Sequence, residues 1–370
     1  GGAPKASIAM GKGDNDSAEK IMGGCFSLQI IISAVLTAVL LIWNKDLLLM
    51  FGASENTIDY ATDYMNIYAI GTVFVQLTLG MGAFITAQGY TKISMVTVLI
   101  GAVSNIILDP IFIFGFNMGV KGAAYATVLG QIIAMLVAAW LNHRKNHEIV
   151  LNFKGFRPSG KLIGQIYAIG VPSIIMASIG SIMYYGVNKI VMAMNETAAA
   201  VFGVYFKLQS FVFMPVFGLS QGSSPIIGFN YGAKRFDRVK KAFYFTVAAG
   251  EIFLGILAII GIFASGQLIG CFREDAEVIT IGTVALRYQL IALFFQPITI
   301  CATMLFQSVG ANKYATFFSI LRSGLIFIPI LVVLQHLIGL TGVQSAQAIA
   351  DIATFVITLP VVIRFMKKLE

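Results

Sequence analysis

The sequence predicts an all-α polytopic membrane protein, a helical bundle of two lobes related by a parallel internal repeat. Three observations carry that prediction. First, the 370 residues are 58% hydrophobic and 11% charged, with a mean hydropathy of +0.85. A soluble domain carries about 25% charged residues. Second, ten long apolar stretches follow a short stub, near 24–43, 65–88, 93–116, 119–141, 162–192, 197–229, 242–265, 278–308, 314–338 and 343–365. Each is long enough, at about 1.5 Å per residue, to cross a bilayer as a helix, and Gly, Pro and polar residues punctuate them. Third, the chain repeats itself.

The repeat is read from a constant offset. Gly1 and Pro4 align with Gly222 and Pro225, Gly11, Asp16 and Lys20 with Gly232, Asp237 and Lys241, and Gly89 and Lys92 with Gly310 and Lys313, every pair 221 residues apart. After a one-residue slip, Gly119, Gly122 and Ala126 align with Gly339, Gly342 and Ala346 at 220. The lobes are therefore 1–141 and 162–370, joined by a basic linker, 142–161. Residues 162–221 have no partner in this chain and hold two spans. The expectation is twelve helices in the full protein and about ten complete ones here, with the first helix and most of the second missing. GGAPKASIAM has neither an initiator Met nor the layout of a signal peptide, so it reads as a start in mid-structure. Because the repeat matches an even number of spans, both lobes have the same orientation, about an axis along the membrane normal.

The connecting loops alternate in charge. Lys12, Lys20, Lys92, the linker cations Arg144, Lys145, Lys154, Arg157 and Lys161, the cluster Lys234–Lys241, Lys313 and the C-terminal Arg364, Lys367 and Lys368 fall on one side. The intervening loops hold Lys45 and Arg273 among acids. The positive-inside rule assigns the basic loops to the cytoplasm, in a multi-pass protein of the cell (plasma or inner) membrane. The net charge of +8 is thus explained by a bilayer partner, with no nucleic acid. Cys25, Cys271 and Cys301 are isolated, without metal spacing, and read as small hydrophobes.

The chemistry concentrates in the run ISMVTVLIGAVSNIILDPIFIF, whose only charge is Asp109. An Asp near the centre of a spanning helix costs about 2.5–3.5 kcal/mol on insertion scales, so such an acid marks a functional site by default. Asn105 lies one turn earlier on the same face. Pro110 cannot donate to the carbonyl of Ile106, which predicts a bend there. The bland alternative is a proline kink whose polar neighbours satisfy freed backbone groups. The repeat argues against it, since Asn105 and Asp109 align with the apolar Ile326 and Ile330. A depth count from the turn near Gly119 brings Thr127 level with Asp109, and Gly122, Ala126 and Gly130 form a small-residue stripe for close packing. Carboxylate, amide and hydroxyl then converge. Hard cations favour such oxygens, and a carboxylate held away from water can carry a proton instead.

At this point the chain resembles a family, the multidrug and toxic compound extrusion (MATE) transporters. The resemblance rests on NIILDPIFIFG followed by GVKGAAYATVLGQ, and on GSSPIIGFNYGAKRFDRVKKA with its degenerate partner GGAPKASIAMGKGDNDSAEK, and it covers the whole chain. It implies a bundle of two six-helix lobes, alternating access, and export of amphiphilic, often cationic, small molecules in exchange for inward Na⁺ or H⁺. It also implies a cation site at Asn105, Asp109 and Thr127 with the Ala123 backbone nearby, completed by an Asp on a first helix that this chain lacks. Na⁺ at Asp109, Asn105 and Thr127 is the metal expected, with no cofactor beyond the coupling ion, and the protein is expected to be monomeric.

Further polar residues in spans remain open between two readings. Glu251, opposite Ile30 in the repeat, is a second cation or drug carboxylate, or a buried partner of Arg or Lys. Lys207 and Gln209 face a cavity, or Lys207 snorkels. Arg322 is similarly undecided. Met176, Met183, Tyr184, Phe206, Phe213, Met214 and Phe217 line an adaptable apolar cavity or simply pack. His143 and His147 lack a third ligand and read as surface, and His336 bonds locally. An enzyme is disfavoured, since HExxH, GxSxG, a P-loop and paired intramembrane acids are all missing. A flippase for a lipid-linked precursor on the same fold is the alternative, kept alive by Lys189, Lys207 and Arg322.

Overall fold

In the computed structural model, which describes residues 1–50, 55–145, 149, 159–194, 196–271 and 275–369, the described residues are almost entirely helical. The helices are α1 (Gly2–Gly11), α2 (Asn15–Ile42), α3 (Asn44–Met50), α4 (Ile58–Ala87), α5 (Thr91–Pro110) and α6 (Gly119–Lys145). They continue as α7 (Gly160–Met194), α8 (Glu196–Gly232), α9 (Phe236–Gly270), α10 (Ala276–Ala292), α11 (Gln296–Ser308), α12 (Asn312–Ile320) and α13 (Phe327–Lys367). Eight helical segments among the described residues are long and apolar enough to cross a membrane. One of these, Asn312–Lys367, is two spans joined at a break where Ile338 and Gly339 leave helical geometry. With α8 as a further long helix, all ten apolar stretches lie on helices.

The chain divides into two compact units, Gly2–Ile166 and Tyr167–Glu370 with Gly1. In the first, α4 packs on α2 and α6, and α5 packs on α6. Polar side chains tie the helices: Thr37 Oγ1 donates to the Ala69 carbonyl at 2.8 Å, and Asn44 Nδ2 donates to Asn66 Oδ1 at 2.6 Å. In the second, Phe306 is fully buried, stacks on Tyr314 and Phe318, and meets Phe365 edge-on. Large apolar side chains such as Phe114 and Phe263 remain 77% and 82% exposed, as expected of faces that meet lipid.

The repeat is written into the backbone. The amide of Asp14 donates to the Ala9 carbonyl and that of Arg235 to the Asn230 carbonyl, at 3.0 and 2.8 Å. Likewise Tyr90 donates to Ile85 and Ala311 to Phe306, at 3.2 and 2.8 Å. Gly119 and Gly339, aligned by the repeat, share φ near +56° and +59°. Lys234 takes φ +57° where its counterpart Gly13 takes +79°. The second copy thus keeps a left-handed turn that glycine makes without strain. The sequence-predicted linker 142–161 lies mostly outside the described residues, as do Lys154, Arg157, Arg273 and the side chains of His143 and His147.

Candidate functional site

α5 stays helical up to Pro110, whose missing N–H removes one rung of the ladder. The chain answers with a wider turn: Ile111–Gly115 is π-helical, and the Phe116 amide donates to the Ile111 carbonyl at 2.9 Å. The sequence-predicted bend is therefore a π-turn, a local widening frequent at functional sites.

Small residues bring α6 against this segment. A Cβ on Gly130 would stand 3.0 Å from the Gly101 carbonyl oxygen and 3.3 Å from Asn105 Cβ. A Cβ on Gly122 would stand 2.7 Å from the Phe112 carbonyl. Contacts that run from 101 with 130 to 112 with 122 make the two helices antiparallel, as the short turn between them predicts. Glycine at both points lets the backbones touch.

That approach assembles the predicted cluster. Asn105 Nδ2 donates to Asp109 Oδ1 at 3.2 Å and to Thr127 Oγ1 at 3.4 Å. Thr127 Oγ1 donates to the Ala123 carbonyl at 2.9 Å. Asn105, Asp109, Ala123 and Thr127 are each partly buried. Among the described residues, Asp109 forms no ion pair and accepts only this one side-chain hydrogen bond.

The second unit holds a cluster that the sequence reading missed. Asp351, on α13, has only 1% of its side chain exposed and accepts three hydrogen bonds, one from each of three side chains. Arg322 Nε and Gln347 Nε2 donate to Asp351 Oδ1 at 2.9 and 3.0 Å, and Gln289 Nε2 donates to Asp351 Oδ2 at 3.1 Å. Tyr205 in turn donates to Gln289 Oε1 at 2.8 Å. The Arg322 guanidinium lies over the Phe213 ring, 5.4 Å from its centroid. Asp351 could have been found by the rule that found Asp109, since it too is an acid in an apolar run, with an amide four residues earlier.

The remaining candidates do not join one site. Lys207 and Gln209 line an open cavity with Met183, Phe206 and Met214. Gln209, Met176, Phe213, Met214, Phe217, Arg322 and Gln347 line the cavity beside it. Glu251 is half-buried on α9, lines neither of these cavities, and has no hydrogen bond or ion pair among the described residues. Of its two readings, the pairing with Arg or Lys is therefore not formed among the described residues. Tyr184 and Lys189 have side chains outside the described residues. His336 Nδ1 bonds to the Val332 carbonyl at 2.7 Å, the local contact expected.

Two repeated sets of apolar helices, each with one carboxylate set in a polar cluster inside an apolar span, define a multi-pass membrane transporter. The chain belongs to the MatE family, whose profile matches residues 1–111 and 172–333. It is 28% identical over 351 residues to the multidrug export protein MepA of Staphylococcus haemolyticus (strain JCSC1435), across 95% of this chain and 77% of that protein. It is 30% identical over 326 residues to MepA of Staphylococcus aureus (strain MSSA476), across 87% and 71%. Its fold matches a crystal structure of MATE in the bent conformation with a TM-score of 0.92 at 20% identity, covering 100% of this chain and 82% of that one. An outward-facing multidrug resistance MATE family transporter of the MOP superfamily matches with a TM-score of 0.91 at 20% identity, covering 100% and 83%. Asn105 and Asp109 fall within the matched family profile, and Ala123, Thr127 and Asp351 fall outside it.

Proposed function

We propose that the protein is a cation-coupled exporter, which moves amphiphilic, often cationic, small molecules out of the cell in exchange for Na⁺ or H⁺ by alternating access. The observation that carries this is a carboxylate in an apolar span, Asp109, with no ion-pair partner among the described residues. Leaving an acid uncompensated in an apolar span is costly, and a coupling cation relieves that cost each time it binds.

The neighbours suit the task. The Asn105 NH₂ group now donates to both Asp109 and Thr127, so it occupies the position between two oxygens where a cation would sit. Rotating that amide would bring its oxygen toward those of Asp109 and Thr127, with the Ala123 carbonyl bonded to the Thr127 hydroxyl beside them. Oxygen ligands of this kind suit a hard cation. Among the described residues no group of three or more His, Cys, Asp or Glu side chains forms a metal site, and one carboxylate balances a single positive charge. The Met and Phe lining of the C-terminal cavities suits varied amphiphiles. The names of the staphylococcal relatives support export of drugs. We place the basic turns in the cytoplasm on the positive-inside rule.

The test is efflux by the full-length protein carrying Asp109→Asn. Drug efflux should lose its dependence on the Na⁺ or H⁺ gradient. Efflux with unchanged rate and ion dependence would overturn the coupling assignment. A second reading, a flippase for a lipid-linked precursor, draws on Lys207 and Arg322 as cations on the cavity linings. Competition between an organic cation and a pyrophosphate lipid for the purified protein separates the two.

A further inference from the structure

Arg322 is set in the C-terminal unit with its binding capacity half used. Its Nε bonds to Asp351, one face of the guanidinium rests on Phe213, and the terminal amines meet no acceptor among the described residues. A purely structural Arg–carboxylate pair favours two parallel bonds. Here the second carboxylate oxygen is taken by Gln289 instead. Arg322 keeps 21% of its side chain exposed while Asp351 keeps 1%.

That exposure opens onto a cavity within this unit. Arg322 is the only charged residue among those lining it, and most of the rest are hydroxyls and amides, with Thr303, Ser319, Thr354 and Gln307 among them. Thr358, also on the lining, is 1% exposed and its hydroxyl has no hydrogen-bond partner. Buried hydroxyls are normally paired, so this one is a donor left for something else. Met176 and Phe217 belong both to this lining and to that of the adjoining, more open cavity. The two linings thus share these two apolar side chains and, in Arg322, one cationic edge.

We propose that this cavity binds the anionic oxygen group, carboxylate or phosphate, of a small amphiphile. The guanidinium's terminal amines and the Thr358 hydroxyl hold the anion, and Met176 and Phe217 hold the apolar body. Asp351, Gln289 and Gln347 fix the guanidinium in place from behind. This site is separate from the cluster at Asp109, and it rests on the export reading only for whether the bound molecule is cargo.

The test is calorimetric binding to the purified full-length protein of three probes that share one apolar body: phenylbutyrate, the neutral phenylbutyramide, and phenylbutyl phosphate. At least one anionic probe should bind about tenfold tighter than the amide, the value of a hydrogen-bonded charge. Whichever anion binds tighter assigns the group as carboxylate or phosphate. The paired variant Arg322→Gln with Asp351→Asn, which leaves no buried charge unpaired, should abolish the preference. Thr358→Val, which keeps the side chain's shape, should weaken anion binding several-fold and leave amide binding unchanged. Equal binding of all three probes by the wild type would overturn the proposal. So would an anion preference that survives in the folded paired variant, or one that Thr358→Val leaves undiminished. Efflux by the same variants reads the export function separately, so a failure here leaves the coupling assignment at Asp109 standing.

Discussion

Asp109 in the N-terminal unit and Asp351 in the C-terminal unit each accept a hydrogen bond from an amide one helical turn earlier, Asn105 at 3.2 Å and Gln347 at 3.0 Å. The local device is the same, yet the two acids do not correspond in the repeat. Asp109 aligns with Ile330 and Asp351 with Gln131, while Gln347 aligns with Thr127. What differs is the third group. Thr127 brings a neutral oxygen to the first cluster, and Arg322 brings a positive charge to the second. The C-terminal acid is neutralised by Arg322 and held among three donors, whereas the N-terminal acid forms no ion pair among the described residues, which is the feature the proposed coupling role draws on. The two copies share their left-handed turns, and they differ in the side chains set around these acids.

The largest expected effect breaks the comparison if it fails. Asp351→Ala strands the Arg322 charge and the amides of Gln289 and Gln347, and should cost about 3–5 kcal/mol in unfolding of the full-length protein. Asp109→Ala, with one long hydrogen bond to lose, should cost about 1 kcal/mol or less. Equal costs would mean that both acids are structural. Next, Gly130→Ala pushes a methyl against the Gly101 carbonyl and Asn105. It should destabilise by about 1–3 kcal/mol and weaken the cation dependence of efflux as Asn105 is displaced. Ser223→Ala serves as its counterpart in the other unit, where the hydroxyl meets Thr246 Oγ1 at 2.6 Å without touching either acid, and efflux should keep its ion dependence. A further small effect is that of Tyr205→Phe, which leaves Gln289 Oε1 without its donor and should cost about 1 kcal/mol, with coupling intact.

Much of this was legible before folding. The ten spans follow from length and hydropathy, and the constant offset gave the repeat whose turns recur at Gly119 and Gly339. The cluster at Asp109 was legible because its parts lie close in sequence, on two helices joined by one short turn. The cluster at Asp351 was not, because apart from Gln347 its donors come from α8, α10 and the segment after α12, up to 84 residues apart in a single bond. No spacing rule brings such residues together; only the packing of the second bundle does. Arg322 and Gln209 were recognisable as polar residues in spans, but their placement on a shared cavity lining needed the fold. The bend at Pro110 was predictable, and its form as a π-turn was not.

The most direct measurement is uptake of Na⁺ and of H⁺ by the purified full-length protein, comparing wild type, Asp109→Asn, and the paired variant Arg322→Gln with Asp351→Asn. The account predicts that uptake disappears in Asp109→Asn and persists in the paired variant. Uptake that persists without Asp109, or that is lost only when the C-terminal pair is removed, would contradict it.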